Sequence, residues 1–194
     1  MLRGDLPLVV DFHVHMLVKE VFAASTNKTV FTGFGANPAG APRPGVQNLM
    51  GRMFDPRAEI EDMDARGVDV SVISASTVLQ GTSWADPATD LELCRRCNDQ
   101  AAEWVAQFPD RFVGSFVLPL QDVGLALTEL QRAVMTLKLK VGNVSSSYNG
   151  IYMGDPIFLP FWEEINRLDV PVWIHPEGVR DPWFQRYALW NSAG

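Results

Sequence analysis

Histidine is scarce in this 194-residue chain, with three copies, cysteine is scarcer with two, and no apolar run is long enough to cross a bilayer. Basic charge is also short. Sixteen Lys and Arg stand against 23 Asp and Glu, a net charge of −7, and the cations are scattered singly, so neither nucleic acid nor a membrane surface is an expected partner. The first residues, Met1 to Asp5, carry no charged-then-apolar leader, which makes a cytoplasmic location the default expectation. Cys94 and Cys97 are too few for a disulfide framework and lack the second pair of a zinc ribbon. Their neighbours, Leu91 to Asn98, read as helix, so two half-buried helical thiols are expected rather than a redox turn. No Gly-x-Gly-x-x-Gly follows the first predicted strand, which argues against a nucleotide-binding Rossmann opening.

What is present is an ordinary globular composition, 47% hydrophobic, from which one domain over residues 1–194 is expected. Leu8 to His15 reads as a strand. Residues 16 to 53, rich in Gly, Pro, Asn and Thr, read as a long loop, and long loops in compact domains are usually functional. Asp55-Pro56 opens a helix that Gly67 stops, and Val68 to Ser74 forms the next strand. The alternation continues with a helix over about 89–107, a strand over 112–118, a helix over 122–136, a strand over 139–144, a helix from Asp155-Pro156 to Leu168 and a strand over 170–175. Five apolar strands, about four helices and no hairpin signal predict right-handed crossovers and a parallel sheet. Two α/β architectures fit: an open doubly wound sheet, and a (β/α)8 barrel of which these strands are the first five.

All three histidines fall at predicted strand ends. Strict alternation along Val10 to His15 places Asp11, His13 and His15 on one face, and His175 closes the last strand just before Pro176. Imidazole nitrogen suits zinc and similar divalent ions, and catalytic sites commonly use three protein ligands. A His-x-His pair alone is equally compatible with buried, satisfied imidazoles. Asp11 is read either as a carboxylate closing the barrel bottom or, by preference, as the partner that holds an imidazole tautomer.

The motifs Phe54-Asp55-Pro56, Met63 to Val68, Asn98-Asp99, Pro109 to Gly114, Leu118 to Gln121 and Pro171 to Pro176 together resemble the amidohydrolase superfamily. Within it they resemble the amidohydrolase-related branch that includes aminocarboxymuconate semialdehyde decarboxylase. The resemblance implies a (β/α)8 TIM-type barrel, here carried as far as its fifth strand, with one divalent metal, usually zinc, at the C-terminal face. It further implies non-oxidative decarboxylation or hydrolysis of a small carboxylated or ring-derived substrate through a metal-bound water. Position by position, His13 and His15 correspond to the metal pair of the first strand and His175 to the histidine of the fifth. The family's proton-handling histidine on the sixth strand and metal-binding aspartate on the eighth would lie beyond residue 194. The catalytic general base is therefore not assigned, and little turnover is expected from these residues alone. A catalytically silent barrel acting as a binding or partner protein, or a gene fragment, is the alternative. Relatives are often dimers, so a homodimer is a candidate assembly.

Four further positions are substrate-binding candidates. Arg52 lies near where the branch holds a substrate carboxylate, and Trp84, Asn143 and Glu177 follow or end the second, fourth and fifth strands, bordering the active face. Trp183 and Trp190 read as packing residues of a following helix.

Overall fold

Asp55, Asp86, Asp122 and Asp155 mark helix starts, three of them followed directly by proline. The computed structural model describes residues 7–25, 51–75 and 85–175. In it β1 (Val10–His15) leads to α1 (Lys19–Ser25), then α2 (Pro56–Arg66), β2 (Val70–Ser74), α3 (Pro87–Gln107), β3 (Phe112–Phe116) and α4 (Val123–Gln131). There follow β4 (Val141–Ser145), the short β5 (Ser147–Tyr148) and β6 (Ile151–Tyr152), α5 (Leu159–Leu168) and β7 (Val172–His175). The Asp55 carboxylate accepts from the Arg57 amide with Pro56 in the first turn, and Gly67, at φ 72°, returns its N–H to the carbonyls of Met63 and Asp64. Asp86 and Asp122 cap α3 and α4 in the same manner. None of the described helices is long and apolar enough to cross a membrane.

The main sheet is parallel throughout, in the order β1-β2-β3-β4-β7. Its two edges, which share no ladder, nonetheless meet through side chains: Phe12 of β1 stacks on Trp173 of β7 with ring centroids 6.0 Å apart. The sheet is therefore curled, with an inner face across which β1 and β7 confront each other and an outer face that carries the helices. On the outer side Leu93, Cys94, Cys97, Ala101 and Trp104 of α3 pack against Phe112 and Phe116, a helical stripe laid on alternate strand residues. The cysteines are free and fully buried rather than half-buried, and burial pushes both thiols up.

Gly114 lies packed between α3 and Leu139. A Cβ there would lie 2.5 Å from Leu139 Cδ2 and 3.2 Å from Val105 Cγ2, and Leu139 is itself buried. Gly114→Ala should therefore destabilise by about 1–3 kcal/mol. An unchanged urea midpoint would show that Leu139 yields freely.

Two expectations need correction, and a third, the helix through Thr136, holds in extent with a changed last turn. The loop beginning at Met16 contains α1, whose Val21 and Ser25 are buried, so the segment docks before its composition turns loop-like; residues 26–50 lie outside the described part. A hairpin does occur: Asn149 (φ 52°) and Gly150 (φ 80°) join β5 to β6, and the Asn-Gly pair is the usual signal for two successive left-handed residues. The helix starting at Asp122 leaves α geometry at Arg132 and finishes as a π turn to Thr136.

Candidate metal centre

The inner face at the C-terminal ends of the strands gathers all three histidines. His13 and His15 stand on β1 and His175 on β7, and one ring nitrogen from each lies within 4.8 Å of the other two. The Nε2 atoms of His13 and His15 are 3.0 Å apart, a separation that two metal–nitrogen bonds of about 2.0–2.1 Å can span. Ring centroids are 4.8 Å (His13–His15), 5.3 Å (His15–His175) and 5.8 Å (His13–His175) apart. Among the described residues this is the group of ionisable side chains placed to hold a cation.

The donor set fits a divalent ion on chemical grounds. His15 turns its Nε2 toward His13, and its pKa is lowered from 6.5 to about 4, first by burial and then by His175 and His13, with the Ser74 backbone opposing. A neutral imidazole offers the lone pair that a metal needs.

The sign of that shift sets an acid sensitivity. In the metal-free chain native His15 stays neutral down to about pH 4, whereas unfolded His15 takes a proton below about 6.5. The unfolded state binds more protons in this window, so His15 removes stability as the pH falls from about 6.5 to 4, by about 1.4 kcal/mol per unit. Denaturation of wild type and His15→Gln across this range should show the wild type losing more. Parallel curves would contradict the assignment.

β1 does not alternate strictly. Val10 and Asp11 are in register with Val70 and Ser71, whereas Val14 and His15 are in register with Ile73 and Ser74, so one extra residue is accommodated between Asp11 and Val14. Asp11 consequently shares the outer face with Ser71, whose hydroxyl donates to Glu59 of α2 at 3.4 Å. The Asp11 carboxylate accepts from the His13 backbone N–H at 2.9 Å rather than from an imidazole. The expectation that it holds a histidine tautomer is corrected accordingly. Phe12, assigned by alternation to the face opposite the histidines, reaches Trp173 on the inner face instead.

Asn143 is in register with Trp173, two residues behind the pair Ser145 and His175 and on the same face. It is 6% exposed, and its Oδ1 has no hydrogen-bond partner among the described residues. Arg52 is occupied elsewhere. Its guanidinium donates to the Asp62 carboxylate and the Ala58 carbonyl at 3.0 Å each and pairs with Glu61 at 3.5 Å, so α2 holds it and the carboxylate-binding expectation is not met by this geometry. Trp84 and Glu177, like Trp183 and Trp190, lie outside the described residues.

Sequence reasoning missed the contribution of Trp173, two residues before His175 on the same face, with its ring 6.3 Å from that of His13. The period of two would have found it. The Asn98-Asp99 motif has a supporting part: Asn98 donates to the Val117 carbonyl and accepts from the Val117 amide, holding the chain as it leaves β3.

Comparison with known proteins agrees with this arrangement. The amidohydrolase family model matches residues 10–188. The chain is 35% identical over 142 residues to gamma-resorcylate decarboxylase of Rhizobium radiobacter, covering 67% of this chain and 42% of that protein. It is 35% identical over 123 residues to 2-amino-3-carboxymuconate-6-semialdehyde decarboxylase of Dictyostelium discoideum, covering 63% and 34%. Dihydroxybenzoic acid decarboxylase from Polaromonas sp. JS666, solved with manganese and the inhibitor 2-nitroresorcinol, superposes with a TM-score of 0.75 at 28% identity over 94% of this chain and 53% of that one. The chain thus spans about half or less of the relatives it matches, and its curled five-stranded sheet corresponds to that much of their (β/α)8 barrel.

Proposed function

Since this chain belongs to the amidohydrolase family, we propose that it forms the metal-holding part of a divalent-metal-dependent decarboxylase acting on small aromatic carboxylates. The observation that carries the reading is the convergence of the three imidazoles on the inner face. His13, His15 and His175 would hold the ion through their ring nitrogens. When bound, the ion supplies Lewis acidity to an oxygen of the substrate. Asn143, with its carbonyl oxygen unpaired, accepts a hydrogen bond from a ring hydroxyl, and the faces of Trp173 and Phe12 bound the space that a planar ring occupies. All three histidines of the sequence are then engaged at the ion. An imidazole donor set suits zinc, the ion expected from the sequence, and other first-row divalent ions as well, while the Polaromonas relative holds manganese. Elemental analysis of protein purified without chelators distinguishes them.

The test uses 2-nitroresorcinol, whose absorption reports its environment. The chain loaded with Mn2+ should bind it, the metal-free chain should not, and His175→Ala should abolish binding. Binding indifferent to metal, or no binding with one ion in place, would refute the aromatic-carboxylate reading.

A further inference from the structure

We infer that Asp11 is a positioning residue for the histidine cluster, acting by holding closed the bulge in β1. The register carries the argument. Were β1 regular from Asp11 onward, Phe12 would pair with Val72, His13 with Ile73 and Val14 with Ser74. Ile73 belongs to the core beneath the helices, so His13 would point into that core and Val14 into the polar mouth. The extra residue reverses this: Val14 pairs with Ile73 and is buried, and His15 pairs with Ser74 on the face of His175. One inserted position thus converts a strand with its histidine on the wrong face into one whose two histidines bring their Nε2 atoms to 3.0 Å.

A bulge interrupts the regular ladder, and its backbone groups need acceptors from elsewhere. At this bulge the acceptor is the Asp11 side chain, 2.9 Å from the His13 N–H, in a two-residue loop of the kind that Asp and Asn form locally. The bond lies within β1 itself and fixes His13 relative to Asp11, which the ladder in turn anchors opposite Ser71. The carboxylate acts through the backbone and touches neither the ion nor the substrate.

The inference rests on the histidine cluster being the metal site, and the experiment separates the two. In the metal-free full chain the His13 amide should exchange slowly with solvent, although β1 is an edge of the described sheet. Asp11→Ala should accelerate this exchange about tenfold or more, and Asp11→Asn, which keeps an oxygen at the same reach, should restore slow exchange. Titration with Mn2+ and Zn2+ against a competing chelator should show Asp11→Ala weakened about 10–100-fold, as when an outer partner of a ligand is lost, and Asp11→Asn little changed. Fast exchange at His13 in the wild type overturns the inference whatever the variants do. So does a loss in Asp11→Asn equal to that in Asp11→Ala, which would assign the effect to charge, and so does a lowered urea midpoint with metal affinity intact. If His15→Ala binds metal as tightly as wild type, the metal reading fails, while the His13 exchange rates still decide whether Asp11 holds the bulge.

Discussion

His15→Ala should reduce the divalent metal bound to the purified chain from about one ion to a small fraction, with a loss of affinity beyond the 10–100-fold typical of losing an outer partner of a ligand. His15 is the central member of the cluster, since its ring lies nearest to each of the others, with centroids 4.8 Å from His13 and 5.3 Å from His175. It is also the member whose imidazole is driven to the neutral form, with a pKa of about 4. Removing it leaves two nitrogens on opposite edges of the sheet and no third donor beside them among the described residues. Two imidazoles contributed by separate strands seldom retain an ion against a chelator. Elemental analysis after dialysis gives the answer directly. Undiminished metal in His15→Ala would place any ion elsewhere and remove the basis for the proposed function.

How much of this site was legible in the sequence depends on the scale of the question. The order of elements was readable because each boundary has a local cause: Asp55-Pro56 and Gly67 bracket α2 through their own backbone preferences, and Val172 to His175 ends before a proline. That the histidines sit at strand ends followed from the same reasoning. The faces were less legible. Alternation is a property of a regular strand, and whether β1 is regular depends on its pairing with β2, a contact 60 residues distant along the chain. Asp11 and Phe12 were therefore assigned to the wrong faces, while His13 and His15, beyond the bulge, kept their relation to each other. Arg52 failed for a comparable reason. Its partners Asp62 and Glu61 lie on α2, and nothing within its own segment announces that they will capture it. The Asn149-Gly150 turn, by contrast, carries its signal locally, and the reading of no hairpin passed over it.

Glu129→Ala should be among the most destabilising single substitutions away from the histidines, by about 3 kcal/mol. The Glu129 carboxylate is fully buried between α3 and α4 and accepts from four donors: Arg132 twice at 2.9 Å, Arg95 at 3.2 Å and Asn98 at 2.7 Å. A charge so placed is tolerable only because those bonds replace water. Truncation leaves the Asn98 amide short of one partner and two guanidiniums facing a void. Both guanidiniums are partly exposed, at 28% and 40%, and can regain water, which keeps the expected loss at the low end of the range for breaking a buried ion pair. The consequence extends to the sheet, because Asn98 grips Val117 by both its N–H and its C=O at the exit of β3, and β3 pairs with β4, the strand that carries Asn143. Glu129→Gln keeps an oxygen for Asn98 but loses the charge that pairs with Arg132 and Arg95, so its urea midpoint should fall between those of wild type and Glu129→Ala. A loss below about 1 kcal/mol in Glu129→Ala would mean that Asp99, which already pairs with Arg132 at 2.7 Å, can carry the network unaided.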